Sequence, residues 1–540
     1  MTDSFSISFE TFSNSFYCHA VCIYIIKKVI LWPFIRYIDV ETGNSEKNGT
    51  ERSLYDRILK YTGVFSSVQG VAMIVSAVLA KVKSYLIGPA GFGITENVNR
   101  TTEIIKNATN LGIQTVAVPG ISLSADLPDD ARLSERILVT RSWALLTAMA
   151  GMIICVALAP VLGRWAFNDT DYVFDFTLMS LSVAASSVTG GEIAILRGTG
   201  QMRNVALSQL FANLVSLCIS FPLYWFFRLG GIIPALVLSA VGTMTVTCLY
   251  SFRLHPYKAR PFSRAVLGKG LDMMGFGLLL TLTAFLGAWA WSIIAKFLTV
   301  QGGEELTGTY SAGYMLVTYL TTLLLSVSDS EYYPRLSAVG SDMVQAHKLM
   351  NSQSLAMCML AAPLVIIFII CAPMLVLVVL EYEKFQASIV FAQMAAIGLL
   401  FKAVYQPIAY LVLARSESRI YLIQESLCYL LLVVSVVCGY KLAGTIGLGL
   451  SFAVWELTYL LIVLIIGRIR YGYVMSGQLV RNFLVHAVLV ALTAACVLLG
   501  SRQGFMVSIA LCIISVAFSV HFFCVHTSFL PSFFSKVFGK

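Results

Sequence analysis

Apolar runs of about twenty residues recur along nearly the whole chain, parted by short polar or basic stretches. That is the length a helix needs to cross a hydrocarbon core. The runs predict about fourteen spans, at 61–87, 92–118, 137–163, 173–195, 204–228, 231–251, 271–297, 309–330, 352–380, 386–413, 419–439, 446–467, 481–500 and 505–527. Ahead of them, the apolar stretch from Phe16 to Ile38 is interrupted by Lys27, Lys28, Pro33 and Arg36, and it lacks the core and cleavage site of a signal peptide. It reads as an interfacial helix followed by a polar linker, Glu41 to Leu59, or as an over-extended translation start. The longest loops, around 119–136 and 252–270, are shorter than about thirty residues and too small to fold alone. Chemistry is therefore expected within or beside the membrane.

Composition agrees with that pattern. Of 540 residues, 58% are hydrophobic and 12% charged, and the mean hydropathy is +0.81. Soluble domains carry about twice that charge fraction, so soluble enzyme, disordered and collagenous classes are excluded. The net charge of +9 invites a nucleic-acid reading, but no basic stripe with interleaved aromatics lies outside the apolar segments. The basic residues instead sort by loop, with a bias of about five to one toward the side of the N-terminus. This predicts an even span count and both termini in the cytoplasm. The twelve cysteines lie almost entirely in apolar stretches, where Cys packs as a small hydrophobe. The close cluster Cys18, His19 and Cys22 lacks a second ligand pair, and no cofactor or metal is expected.

The two halves echo each other at an offset near 215 residues. Gly93 and Gly308 differ by 215, while Arg203 with Arg419, Tyr224 with Tyr440 and Gly231 with Gly447 differ by 216. Six spans per unit would give both halves the same orientation, related about the membrane normal with a substrate path between them. The expected fold is all-α and polytopic, two six-helix lobes plus two C-terminal helices. Its parts are a 1–60 cytoplasmic or interfacial segment, a 61–251 lobe, a 252–270 basic linker, a 271–467 lobe, and 468–540 for the last helices and tail.

The second span carries the densest chemistry. Glu96, Asn99, Arg100, Glu103, Lys106, Asn107, Asn110 and Gln114 fall at i, i+3, i+4, i+7, i+10, i+11, i+14 and i+18, one stripe about 120° wide. Intramembrane charges face a bundle interior or a watery cavity. Glu96 with Arg100 and Glu103 with Lys106 are spaced to pair along the helix, so a dry ion-pair network is the competing reading. At the repeat offset, span eight carries Tyr310, Tyr314, Thr318 and Thr321, which suit either a sugar or plain helix packing. Lys402 and Glu456 sit near the middles of their spans. Lys402 is a candidate phosphate contact or coupling charge, with Gln406 one turn away. Glu456 is a candidate coupling carboxyl, or a neutral one hydrogen-bonded between helices. Of Lys81 and Lys83, one is expected to enter the cavity and the other to snorkel outward. Gly88 to Ile94 neither follows a strand nor contains the lysine of a nucleotide loop, and it reads as a tight hairpin. The sequons at Asn48, Asn99, Asn107 and Asn168 are weak signals.

The first hairpin with Gly88-Pro89 and Gly91 to Ile94, the polar second span ending Leu111-Gly112-Ile113, and Arg197-Gly198 through Arg203 resemble the Wzx-type polysaccharide flippases of the MATE-like flippase and exporter superfamily. So do Tyr332 to Ser337, Asp342, Asn351 and Gln353 after span eight. The likeness covers roughly residues 60–530. It implies a V-shaped, two-lobed transporter that moves undecaprenyl-pyrophosphate-linked oligosaccharide across a bacterial inner membrane by alternating access, with the polyprenyl tail left in the bilayer. It also implies a cationic cavity, matched here by Arg100, Lys106 and Lys402. The substrate-binding candidates are then Arg100, Lys106, Lys402, Tyr314, Asn99 and Asn107, and the ion-coupling candidates Glu103 and Glu456. Polysaccharide polymerase and chain-length proteins are the partners such a role implies, with no nucleic acid. The competing readings are a cation-coupled multidrug exporter of the same superfamily, a membrane polymerase or ligase, which would usually need a larger outer loop, and a non-transporting scaffold.

Overall fold

The computed structural model describes residues 73–125, 130–167, 171–256, 264–327, 332–339, 342–415 and 417–526. The interfacial segment, Cys18, His19 and Cys22, the sequons at Asn48 and Asn168, and the C-terminal tail lie outside the described residues.

Helix α1, Met73–Leu86, bends through 120° into α2, Gly88–Thr109. Gly88, at φ +61°, makes the turn, and Pro89 sits in the first turn of α2, where a missing N–H costs no hydrogen bond. The hairpin is thus tighter than the sequence predicts, because residues 89–94 are already helical. The second span is not one helix either. Leu111 at φ +50° and Gly112 at φ +63° break it before α3, Ile113–Ala125. The cause is a close approach. A side chain on Gly112 would press on the Gly277 carbonyl, and one on Gly277 on that of Leu111.

There follow α4, Asp130–Phe167; α5, Val173–Gly198; α6, Met202–Phe227; a 3-10 turn, Arg228–Gly231; and α7, Ile232–Leu254. The helix Arg264–Val327 folds back at Gly302 and Gly303 into α8 (264–301) and α9 (304–327). The hydroxyls of Thr299 and Thr307 meet at 2.9 Å, whereas eight residues of straight helix would span about 12 Å. After the short α10, Tyr333–Val339, come α11, Met343–Val379, and the bent pair α12, Gln386–Ala396, and α13, Gly398–Ala414. The helix Ser418–Tyr471 reverses at Ala443 and Gly444 into α14 (418–442) and α15 (445–471), and α16, Gly477–Leu498, and α17, Arg502–His526, close the chain.

With α2/α3 and α12/α13 each counted as one bent pass, the described residues make fourteen helical passes, as the apolar runs predict. Helix reaches further than expected at the loops: 119–125 and 130–136 are helical, and so is 264–270 of the expected basic linker. The packing is that of a membrane protein. Phe226, Leu442 and Ile153 are exposed, while buried Thr95, Thr102 and Thr109 donate to carbonyls one turn back on their own helix.

The bundle has one end formed by Gly88, Arg228, Gly303 and Gly444, the glycine-turn end, and an opposite, basic end. Near the glycine-turn end, contacts come in pairs at the repeat offset. Gly93 approaches the Glu304 backbone and Gly308 that of Pro89; Gly231 approaches the Leu223 carbonyl and Gly447 that of Gly439. Lys81 Nζ donates to the carbonyls of Leu377 at 2.8 Å and Leu380 at 2.6 Å, while Lys296 lies 4.3 Å from the Trp165 ring. Residues 81 and 296, and 165 and 380, each differ by 215. Ser311 and Glu96, also 215 apart, hydrogen-bond to each other at 3.0 Å, so equivalent positions meet there.

Candidate functional site

The α2 stripe is held by its own charges. Arg100 Nε donates to Glu96 Oε1 at 2.7 Å and Nη1 to Glu103 Oε2 at 3.1 Å, while its guanidinium carbon lies 5.0 Å from the Trp291 ring. Glu103 therefore pairs with Arg100 and not, as the spacing suggests, with Lys106. An arginine fork reaches back to i−4 and on to i+3 at once, and it takes both acids. Among the described residues Lys106 has no carboxylate within 4.0 Å; it lies half-buried within electrostatic reach of Glu103 and Cys155. Asn99 is half-buried on the same helix, and Asn107 Nδ2 donates to the Ala284 carbonyl at 3.4 Å. The stripe is interrupted at the Leu111 break, on either side of which Asn110 and Gln114 pack beside Gly190.

An aromatic wall stands against Arg100. Tyr310 and Tyr314 stack at 6.1 Å, and Trp291 lies 4.8 Å from Tyr314 and 6.0 Å from Phe452. The Tyr310 hydroxyl is buried with no hydrogen-bond partner among the described residues. Tyr314 is within electrostatic reach of both Arg100 and Lys402. Further along α9, Thr318 is exposed and Thr321 half-buried.

Beside this wall lies a second polar cluster. Lys402 Nζ is 3.5 Å from Glu456 Oε1, and Tyr405 Oη donates to Glu456 Oε2 at 2.5 Å. The Tyr405 ring meets Tyr459 edge-on at 4.7 Å; Tyr459 Oη donates to Glu425 Oε1 at 2.5 Å and accepts from Gln424 Nε2 at 2.9 Å. Gln406, one turn from Lys402, donates instead to the Tyr410 hydroxyl at 2.8 Å. Arg100, Glu103, Tyr314, Lys402 and Glu456 thus converge, while Lys106 and Asn107 lie further down α2. Lys83 lies 4.6 Å from the Phe92 ring, facing the field of Glu96. Lys81, in place of snorkelling outward, ends on the carbonyls of Leu377 and Leu380.

Sequence reasoning misses Glu425, Tyr405 and Tyr459, although a carboxylate inside an apolar run is a readable signal. It also misses a buried network nearer the basic end. Arg141 donates to Glu192 through Nε at 2.9 Å and Nη2 at 3.1 Å, with the two side chains only 3% and 4% exposed. Ser251 Oγ donates to Glu192 Oε2 at 2.5 Å, and the His255 carbonyl accepts from Arg141 Nη1 at 2.8 Å. The pair ties α4, α5 and α7 together. The motif residues after span eight are structural as well: Asp342 Oδ1 caps α11, and Asn351 Oδ1 accepts from Ser476 N at 2.8 Å and Tyr473 Oη at 3.1 Å. Among the described residues no group of three or more His, Cys, Asp or Glu is placed to hold a metal.

The fold is that of solved transporters. The lipid II flippase MurJ in an inward closed conformation superposes with a TM-score of 0.61 at 12% identity, over 90% of this chain and 100% of that one. An inward-facing multidrug resistance MATE family transporter gives 0.54 at 15% identity, over 75% and 94%. A MOP superfamily transporter from Pyrococcus furiosus gives 0.54 at 16% identity, over 79% and 99%. No curated protein matches the sequence. The family model described as "Polysaccharide biosynthesis protein" matches residues 82–390, and with that match over more than half its length, this multi-pass helical membrane chain belongs to the polysaccharide biosynthesis protein family.

Proposed function

We propose that the protein is a flippase that carries undecaprenyl-pyrophosphate-linked oligosaccharide across the bacterial inner membrane by alternating access between two six-helix lobes, residues 61–251 and 271–467. The observation that supports this reading is that Arg100 and Lys402 both act electrostatically on Tyr314, whose ring lies 4.8 Å from the Trp291 that Arg100 also faces, with Lys106 further along α2. Arginine and lysine bind a pyrophosphate, tyrosine and tryptophan present faces and hydroxyls to sugars, and the polyprenyl tail stays in lipid, so only the head is desolvated. Asn99 and Asn107 supply amides along the path. Glu103 and Glu456 are the ion-coupling candidates. The basic end faces the cytoplasm, as do both termini, and polymerase and chain-length proteins act on the released product. The protein performs no catalysis in this role.

Replacing Arg100, Lys106 and Lys402 singly by Gln is expected to lower export of surface polysaccharide while the protein stays inserted. Normal export from all three variants would contradict the cationic cavity. A multidrug exporter is the second reading, favoured by Glu96, Glu103 and Glu456 beside the aromatic wall. Binding of organic cations, unaffected by a lipid pyrophosphate, would support it.

In this state the paired contacts hold the glycine-turn end together, whereas Glu103, deeper in, is 41% exposed. Lys81 is central to that closure, because an ammonium on two helix-end carbonyls forms strong hydrogen bonds. Lys81→Met is expected to raise periplasmic labelling of a cysteine placed at Ser311 by about tenfold, equivalent to about 1.4 kcal/mol. An unchanged labelling rate would show that Lys81 does not hold this end shut.

A further inference from the structure

Lys402 and Glu456 differ in exposure. The lysine side chain is 26% exposed and its partner 7%, so the cation is the more accessible member of the pair. Their separation of 3.5 Å is looser than the 2.5 Å bond from Tyr405 to the other carboxylate oxygen. The groups facing Glu456 are Lys402 and Tyr405 on α13, Glu425 and Cys428 on α14, Tyr314 on α9 and Tyr459 on its own helix, and Lys402 is the one cation among them. Among the described residues no second positive charge lies within 4.0 Å of Glu456.

Resting on the lipid-pyrophosphate reading above, we propose that Lys402 is an exchangeable cation, which leaves Glu456 for the anionic head of the substrate while Glu456 takes up one proton from water in its place. A carboxylate so buried that loses its counter-ion is too costly to keep charged. The proton settles on Glu456 Oε1, the oxygen Lys402 vacates, while Tyr405 keeps its bond to Oε2. Charge balances inside the cluster: the ammonium passes to the phosphate, and the proton neutralises the acid left behind. Head-group binding and proton uptake are thereby linked, and each favours the other. Glu425 keeps its bond from Tyr459, and the exchange removes from it both the attraction of Lys402 and the repulsion of a charged Glu456.

The test uses full-length protein in lipid nanodiscs with farnesyl pyrophosphate as probe and farnesol as the uncharged control. Titration calorimetry in buffers of different ionisation enthalpy counts protons exchanged on binding. Wild type is expected to take up about one proton more per pyrophosphate bound than Glu456→Gln does. Glu456→Gln should bind the probe at least as tightly, since its Lys402 is already released, and with weaker dependence on pH. Lys402→Arg should keep binding, and Lys402→Met should weaken it tenfold or more. Equal proton counts in wild type and Glu456→Gln, with pyrophosphate bound in preference to farnesol, would overturn the exchange and leave the flippase reading standing. Failure of wild type to distinguish the probe from farnesol would overturn both. Weaker binding by Glu456→Gln at unchanged thermal stability would place the carboxylate in direct substrate contact and also overturn the exchange.

Discussion

Glu192→Ala is expected to destabilise the protein by about 3–5 kcal/mol, the usual cost of removing one partner from a buried ion pair. Glu192 receives both forks of Arg141 and the Ser251 hydroxyl, so its loss strands a guanidinium that is almost wholly withdrawn from solvent. The cost should appear as a lower thermal unfolding midpoint in detergent and a lower yield of inserted protein. Replacing the pair together, Arg141→Met with Glu192→Leu, is expected to recover most of it, because no charge is then left unpaired. A single variant within about 1 kcal/mol of wild type would show that the pair does not fasten α4, α5 and α7.

The second large effect is expected at Gly308. A Cβ there would run into the Pro89 carbonyl and the Gly93 nitrogen, and one at Gly93 would meet the Glu304 carbonyl. Both obstacles are backbone, which no rotamer change relieves. Gly308→Val should therefore exceed the about 1–3 kcal/mol typical of overpacking, forcing α2 and α9 apart at the glycine-turn end. The loss should be read as lower thermal stability together with periplasmic labelling at Ser311→Cys. Wild-type stability in Gly308→Val would contradict the close approach. Gly268, with open space around its Cβ position, serves as the control, and Gly268→Ala should be nearly silent.

Much of the architecture is legible in the apolar runs because a bilayer imposes one length on every span. The fourteen passes follow from that pattern, while the turn at Gly88 and the 215-residue echo are read from single residues. What hydropathy misses are events one or two residues long. The break at Leu111 and Gly112 depends on Gly277, far away in the chain, and a window of twenty residues averages it away. The site is legible where charge is conspicuous: Arg100, Glu103, Lys402 and Glu456 all stand out against apolar neighbours. Their pairing is not, since Lys402 meets Glu456 only through the packing of α13 on α15. Sequence spacing likewise offers Glu103 to Lys106, and only side-chain reach decides for Arg100. Glu425 and the Arg141 pair lie within predicted spans, and their chemistry emerges only once α4, α5 and α7, or α14 and α15, are side by side.

The most direct test of the central claim is the membrane face on which lipid-linked oligosaccharide accumulates when the gene is deleted from its host. Sided inner-membrane vesicles, assayed beside surface polysaccharide, are expected to hold the intermediate on the cytoplasmic face, with surface glycan lost and both restored by the intact gene. Accumulation on the periplasmic face would contradict the flippase and place the protein after translocation, and no change in either pool would favour the multidrug exporter.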